Sequence, residues 1–228
     1  ALETLLETAV EGSRYPVVYT GGRDGRLYPD VGLQLLPKWA KHLLGHRYYH
    51  DVDISNCGPT FHAHLCMTLL GECPDIIRRH ADDRAGMISE LKSIYPTLAA
   101  VPDSTIKQSL LGLYTGSGLP AALVSIGLPA DTTVDIFCEL KKACRKTAKK
   151  LMKTEECKYA LTGLDEKPNR CGTFVSRIWR NTECRVLLAM ENHFREGKEY
   201  KVGALEHDGL YLERHGPGEL DGEVLRRC

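Results

Sequence analysis

Apolar and polar positions along this chain follow two rhythms, one with the period of a helix and one that alternates. At the start, ALETLLETAVEG spaces Leu2, Leu5, Leu6, Ala9 and Val10 three and four apart, which predicts an amphipathic helix. YPVVYT at 15–20 is rich in β-branched and aromatic residues and predicts a short strand. GGRDG at 21–25 is a turn-rich loop. Pro37 opens a helix through WAKHLLG. RYYHDVDIS then alternates as a strand, NCGP at 56–59 breaks it, and FHAHLCMTLLGE follows as a helix. Residues 72–100 read as helical, with Ile76, Ile77, Met87, Ile88, Leu91 and Ile94 as the apolar set, and Pro96 and Pro102 bound the next break. IKQSLLGLYTG at 106–116 is a helix ending at Gly116, and 133–153 is a longer one that becomes basic. GLDEKPNRCG at 163–172 is a loop, followed by a long amphipathic helix from Thr173 to Phe194. EYKVGALEHDGLYLERHG reads as strand, tight turn and strand, with the turn at HDG. The tail DGEVLRRC is a further strand or a tail. Long helices with a few strands, no internal repeat and no βαβα rhythm predict an α+β domain.

Composition narrows this picture. The 228 residues suffice for one large domain, and 43% hydrophobic with 26% charged residues describes a folded chain. No run of about 18 apolar residues appears, so no membrane span is expected. The first segment lacks the basic flank and apolar core of a signal peptide. The first residue is not Met, which reads as a processed or excised chain. The nine cysteines are scattered, without a C-x-x-C pair. Buried thiols in an intracellular reducing compartment (nucleus, cytoplasm or organelle) are expected rather than zinc. The net charge of +0 counts mildly against a nucleic-acid binder, although steering depends on where charges sit.

The candidate chemistry begins with carboxylates. Asp51 and Asp53 lie two apart on a strand and share a face. Asp53 sits where the strand meets the Asn56–Pro59 break, and Asp208 sits on the tip of the predicted hairpin. Such groups brought together repel, and Mg²⁺ relieves the repulsion through oxygen ligands. Two ions then serve phosphoryl chemistry. The bland reading is a strand-end cap and an Asp-Gly turn. His207 is a ligand, a phosphate neighbour or a packed histidine. Lys107 and Tyr114 share a helix face that could meet a phosphate and a base. KKACRKTAKKLMK at 141–153 carries seven cations, among them Lys142, Arg145, Lys146 and Lys149. Their spacing makes a basic stripe, either a phosphate-backbone track or a solvated face.

Taken together, four blocks resemble the palm and fingers of family A DNA polymerases and single-subunit, phage-type RNA polymerases. GRLYPDVGLQLLP at 25–37 is similar to the stretch beside the primer–template duplex, through Gly25, Arg26, Leu27, Leu33, Gln34 and Pro37. DISNCG at 53–58 resembles the first catalytic carboxylate block, with Asp53 as metal ligand and Ser55 as the family serine. Gly58 stands where the DNA polymerases have a glutamate that blocks a ribose 2′-hydroxyl; the RNA polymerase branch also has glycine there. KQSLLGLYTG resembles the fingers-helix motif through Lys107, Gly112 and Gly116, with Thr115 in the tyrosine position and Tyr114 one place early. Asp103 stands in place of a basic residue, so Arg78, Arg79, Arg84 or Lys92 would have to supply that charge. Gly172 and Thr173 match a Gln-Gly-Thr helix whose glutamine is Cys171 here. His207 and Asp208 match the His-Asp motif, followed by Gly209. YHDVDISNCGPTFHAHL is also similar to divergent polymerase-like proteins of viruses and mobile elements.

The resemblance implies a polymerase-like palm with an antiparallel sheet and helical fingers, without a complete thumb. It divides the chain into an N-terminal helix and strand (1–24), a first palm segment (25–70), a fingers-like segment (71–160) and a second palm segment (161–228). The implied activity is template-directed nucleotidyl transfer to a 3′-hydroxyl, DNA-templated, as in replication. Two Mg²⁺ ions, or Mn²⁺ in their place, would be held by Asp53 and Asp208, with Asp51 as a further candidate. Lys107, Tyr114, Thr115 and Gly58 would meet the nucleoside triphosphate. Arg26, Gln34, His207 and the basic stripe would meet primer–template nucleic acid. A separate thumb-like or processivity partner is expected. The alternatives are a primase-like RNA-synthesising enzyme, a non-catalytic nucleic-acid-binding domain retaining the palm fold, and an unrelated metal-dependent hydrolase.

Overall fold

Proline and capping residues punctuate the chain, and a computed structural model shows what lies between them. It describes residues 18–21, 27–29, 35–46, 48–197, 200–206 and 209–214. Among these are strands β1 (Tyr19–Gly21), β2 (Leu27–Pro29), β3 (Tyr49–Asp53), β4 (Val202–Leu205) and β5 (Gly209–Glu213). The α-helices are α1 (Lys38–Gly45), α2 (Cys57–Leu70), α3 (Asp75–Asp82), α4 (Arg84–Ile94), α5 (Asp103–Tyr114), α6 (Leu119–Ser125), α7 (Asp135–Leu151) and α8 (Arg170–Gly197). Short 3₁₀ turns cover Pro96–Ala100 and Glu155–Leu161. The predicted α+β class holds: small antiparallel sheets accompany several helices. No described helix is long and apolar enough to cross a membrane. The expected N-terminal helix, the 22–25 loop and the C-terminal tail lie outside the described residues.

The chain forms two units, residues 1–54 with 180–228, and Ser55–Trp179. In the first, β1 pairs antiparallel with β2, and a three-stranded antiparallel sheet has the order β3-β5-β4. Val52, Leu210 and Leu212 point to one side, where Leu205 and the α8 residues Leu187 and Phe194 complete a small apolar core. The period of two then puts Asp51 and Asp53 on the opposite face.

In the second unit, helices α2–α7 and the first turns of α8 bury Ile77, Met87, Leu91, Ile106, Leu110, Phe137, Leu140, Leu151 and Phe174. The expected helical run at 72–100 is two α-helices and a turn. Asp83 separates them, because its carboxylate accepts the Gly86 N–H at 2.8 Å and starts α4. Helix α6 was not legible: its seven residues, LPAALVS, are too short to show a period. Helix α2 begins at Cys57, ahead of the expected Phe61. Gly58 and Pro59 fall in its first turn, where a missing proline N–H costs nothing. Asn56 precedes it in the left-handed region, φ 51°. Its amide donates to His80 O (2.5 Å) and Ala81 O (3.1 Å) and accepts from Arg84 (2.8 Å). These bonds tie the start of α2 to the α3–α4 junction.

Candidate active site

Asp53 ends β3, and its register partner is Gly209; Asp51 faces Tyr211. Both aspartates are exposed. Tyr211 carries the imprint of this face. Its hydroxyl lies 3.4 Å from Glu206 Oε1. Burial first, then the negative charges of Glu206, Asp51 and Asp53, holds its pKa above the usual phenol range. Three carboxylates therefore surround one tyrosine at one end of the sheet. Lys41 of α1 answers part of this charge, gripping both Glu206 oxygens at 2.8 and 2.9 Å. Glu206 and Tyr211 were missed from the sequence, although the alternation of Gly209, Tyr211 and Glu213 along β5 placed Tyr211 on the aspartate face.

Gly209 has a steric reason to be glycine. A Cβ there would lie 2.3 Å from Val52 O and 3.0 Å from Asp53 Cα. The absent side chain lets β5 close against the end of β3. His207 and Asp208, which precede Gly209 in the chain, lie outside the described residues, as do Arg26 and Gln34. Among the described residues no group of three His, Cys, Asp or Glu side chains is placed to hold a metal ion. Asp51 and Asp53 supply hard oxygen donors only, the chemistry that Mg²⁺ or Mn²⁺ takes. The donor type fits, and a third carboxylate would have to come from outside the described set.

The remaining candidates belong to the second unit. Lys107 is half-buried on α5. Tyr114 does not stand beside it as a presented ring, and that expectation is corrected. The tyrosine is 3% exposed, with its hydroxyl 3.1 Å from His80 Nδ1 and its ring 5.2 Å from both His62 and Trp179. Apolar packing claims it, because α5 turns Ile106, Leu110, Leu113 and Tyr114 to the core together. Burial raises its pKa well above that of an ordinary tyrosine. Gly58 lies under the indole of Trp179, where a Cβ would come within 2.5 Å of the ring. Close packing alone accounts for glycine at this position.

Two blocks of the family pattern meet here. Asn169 caps the start of α8 by accepting the Gly172 N–H at 3.1 Å, and its amide donates to Thr115 O at 2.6 Å. A Cβ on Gly172 would overlap Thr115 O at 1.9 Å. The end of the Lys107 helix and the Gly172–Thr173 segment are thus in direct contact. The cations considered as substitutes at Asp103 are engaged elsewhere. Lys92 pairs with Asp103 itself at 2.7 Å, Arg79 with Glu90, Arg78 with Asp75, and Arg84 with Asn56.

Helix α7 separates its faces cleanly. Phe137, Leu140, Ala143, Cys144, Thr147, Ala148 and Leu151 are buried. Lys142, Arg145, Lys146, Lys149 and Lys153 are exposed. At 100° per residue Lys142, Arg145, Lys146 and Lys149 fall within about 100° of arc, so they form one continuous stripe, and Lys153 follows in the turn after the helix. Lys141 and Lys150 flank it, donating to Ser117 O at 2.6 Å and pairing with Glu72.

No protein-family model, curated protein or solved structure matches this chain.

Proposed function

We propose that this chain is a template-directed nucleotidyltransferase that extends a 3′-hydroxyl with nucleoside triphosphates. The observation that carries the reading is the β3–β5 register. Asp53 closes β3 opposite Gly209, and Asp208 is bonded to Gly209. Paired residues of antiparallel strands lie about 5 Å apart and chain neighbours about 3.8 Å apart. Gly209, the chain neighbour of the second aspartate that the motif order singles out, thus lies beside the first, which supports the reading. Asp51, on the same face as Asp53, and Glu206, beside Tyr211, make the surroundings negative.

In this reading Asp53 and Asp208 would hold two Mg²⁺ ions, with Asp51 as a further ligand, and such ions would supply a lowered pKa at the attacking hydroxyl and charge stabilisation at the leaving pyrophosphate. Strand pairing with β5 fixes the Asp53 backbone at the end of β3. Lys107, half-buried on α5 in the other unit, carries the charge that a phosphate would call for. The stripe on α7 holds nucleic-acid backbone without reading sequence. A binding domain without catalysis is the second reading, favoured by that same stripe, whose cations need no metal site to act.

The test is extension of a labelled primer on a DNA template with Mg²⁺, with ribo- and deoxyribonucleotides in separate reactions. Extension by the wild type and its loss in D53N, with duplex binding retained, is the expected result. Equal duplex binding by both proteins, with no extension by either, would assign the binding-domain reading.

A further inference from the structure

The two tryptophans of the chain stand in opposite surroundings. Trp179 packs on Gly58 and Tyr114. Trp39, on α1, is 71% exposed. Four residues to either side of it, Leu35 and Leu43 are 52% and 63% exposed, and Tyr48, in the turn before β3, is 65% exposed. Residues four apart stack along one helix face, so Trp39 and Leu43 share an uncovered face of α1, and Leu35 is exposed in the chain that leads into it.

The charge of this segment says what suits it. From Leu35 to His50 the sequence contains Lys38, Lys41 and Arg47 with three histidines, and neither Asp nor Glu. Lys41 is committed to Glu206. Arg214 adds a further cation: its N–H donates to Tyr48 O at 2.8 Å and its Nε–H to Tyr49 O at 3.0 Å. The guanidinium is thereby fixed against the Tyr48–Tyr49 backbone. His50 responds to it, since burial first and then the Arg214 charge lower its pKa. A purely apolar ridge would suit a helix of another protein. Exposed rings within an acid-free, cationic segment suit a ligand with flat faces and negative charges, and duplex bases keep their faces stacked away.

We propose that the segment from Leu35 to His50 is a docking surface for single-stranded nucleic acid, with Trp39 and Tyr48 stacking on unpaired bases and Arg214 meeting the phosphates. The proposal rests on the nucleic-acid reading above and names the strand form that this surface accepts. In template-directed synthesis that form is the unpaired template or the displaced strand.

The experiment titrates the full chain, without metal, with single-stranded oligo(dT), oligo(U) and a duplex of equal length. Tryptophan emission and oligonucleotide anisotropy are followed together. W179F leaves Trp39 as the one reporter. Quenching by both single strands in W179F, and weaker quenching by duplex, is expected. W39A and Y48A should each weaken single-strand binding by about 5- to 150-fold, the value of one stacked base. W39F should keep most of the affinity, which separates stacking from a general loss of fold. Single-strand affinity unchanged in both alanine variants overturns the proposal. So does a doubled mass in sedimentation that W39A alone reverses, because the ridge would then belong to a second copy of the chain. D53N is carried through every arm. Single-strand binding by a wild type that cannot extend a primer sinks the polymerase reading alone. Extension with W39A and Y48A binding normally sinks the docking surface alone.

Discussion

Gly58 shows how a single residue can invite two readings. By family pattern it opens a sugar pocket; in the fold it makes room for the Trp179 ring. The two are separable by stability. Alanine in a helix is favoured over glycine by about 1 kcal/mol, so G58A would stabilise α2 if space were free. We expect the reverse, a loss of about 1–3 kcal/mol by urea unfolding from overpacking. The double variant G58A/W179A should show a favourable coupling of about 1 kcal/mol or more. Additive costs would remove Trp179 as the reason for glycine. G209A should be still more disruptive in kind, because the groups it meets, Val52 O and Asp53 Cα, are backbone and cannot swing aside. Its expected signature is lost stability together with lost extension. At this scale the sequence was least legible. Tyr114 lies at a helical spacing that suits either a nucleotide face or a core, and only the neighbours His80, His62 and Trp179 decide between them. Those partners come from α3, α2 and α8, far away in the chain.

Elements were far more legible, because their signals are periodic and local. The limits of β3, α7 and the β4–β5 pair follow from alternation and from the 3.6-residue repeat. The misses at α6 and at the α3–α4 break are places where a short length or a single capping aspartate outweighs the period. The stripe on α7 makes a prediction at this scale. Lys142, Arg145, Lys146 and Lys149 are exposed, so K142E/K149E should leave the helix intact. Each phosphate that is no longer neutralised should flatten the logarithmic salt dependence of duplex binding by about 0.9, roughly 2 for the pair. An unchanged slope in that variant would mark the stripe as a solvated face. Packing of α2 and α3 makes another. His62 and His80 are fully buried, and burial lowers each ring to about 4, with Arg84 adding to the effect at His80. His62 Nε2 bonds Thr147 Oγ1 at 2.7 Å, while its Nδ1 and the His80 Nε2 have no partner among the described residues. The unfolded chain takes up protons at its ordinary histidine pKa of about 6.5, before the folded form does. Stability is therefore complete above that pH and falls as the pH drops toward 4. Two such rings cost roughly 4 kcal/mol between about pH 7.5 and 5. Urea midpoints measured across that range should fall with acid, and the fall should be halved in H80N. A flat profile would mean that the rings are solvated.

At the scale of the whole molecule, the division at Ile54 and Trp179 separates the candidate carboxylates from Lys107 and the basic stripe. Asp51, Asp53, Glu206 and Tyr211 belong to the unit built from both ends of the chain. Lys107, Gly58 and the α7 stripe belong to Ser55–Trp179. Periodicity and spacing do not show this arrangement; the expectation that segments 25–70 and 161–228 act together comes from the resemblance alone. Antiparallel pairing of β3 with β5 joins Asp53 to Gly209, positions far apart in the chain, and no local pattern encodes that closure. The internal unit, by contrast, is contiguous and carries a core of its own, from Ile77 and Met87 to Phe137 and Phe174. Contiguous helical segments with their own buried core fold independently more readily than units assembled from distant strands. A fragment of residues 55–179 should therefore give a helical circular dichroism spectrum and one cooperative urea transition. It should bind duplex DNA with the salt slope of the full chain if α7 is the main point of attachment. It should fail to extend a primer under any metal condition, because Asp53 is outside it. A fragment that is helical but binds without the salt slope would move the grip to the other unit. A fragment that is unfolded in buffer would show that the ends of the chain are needed to complete its core.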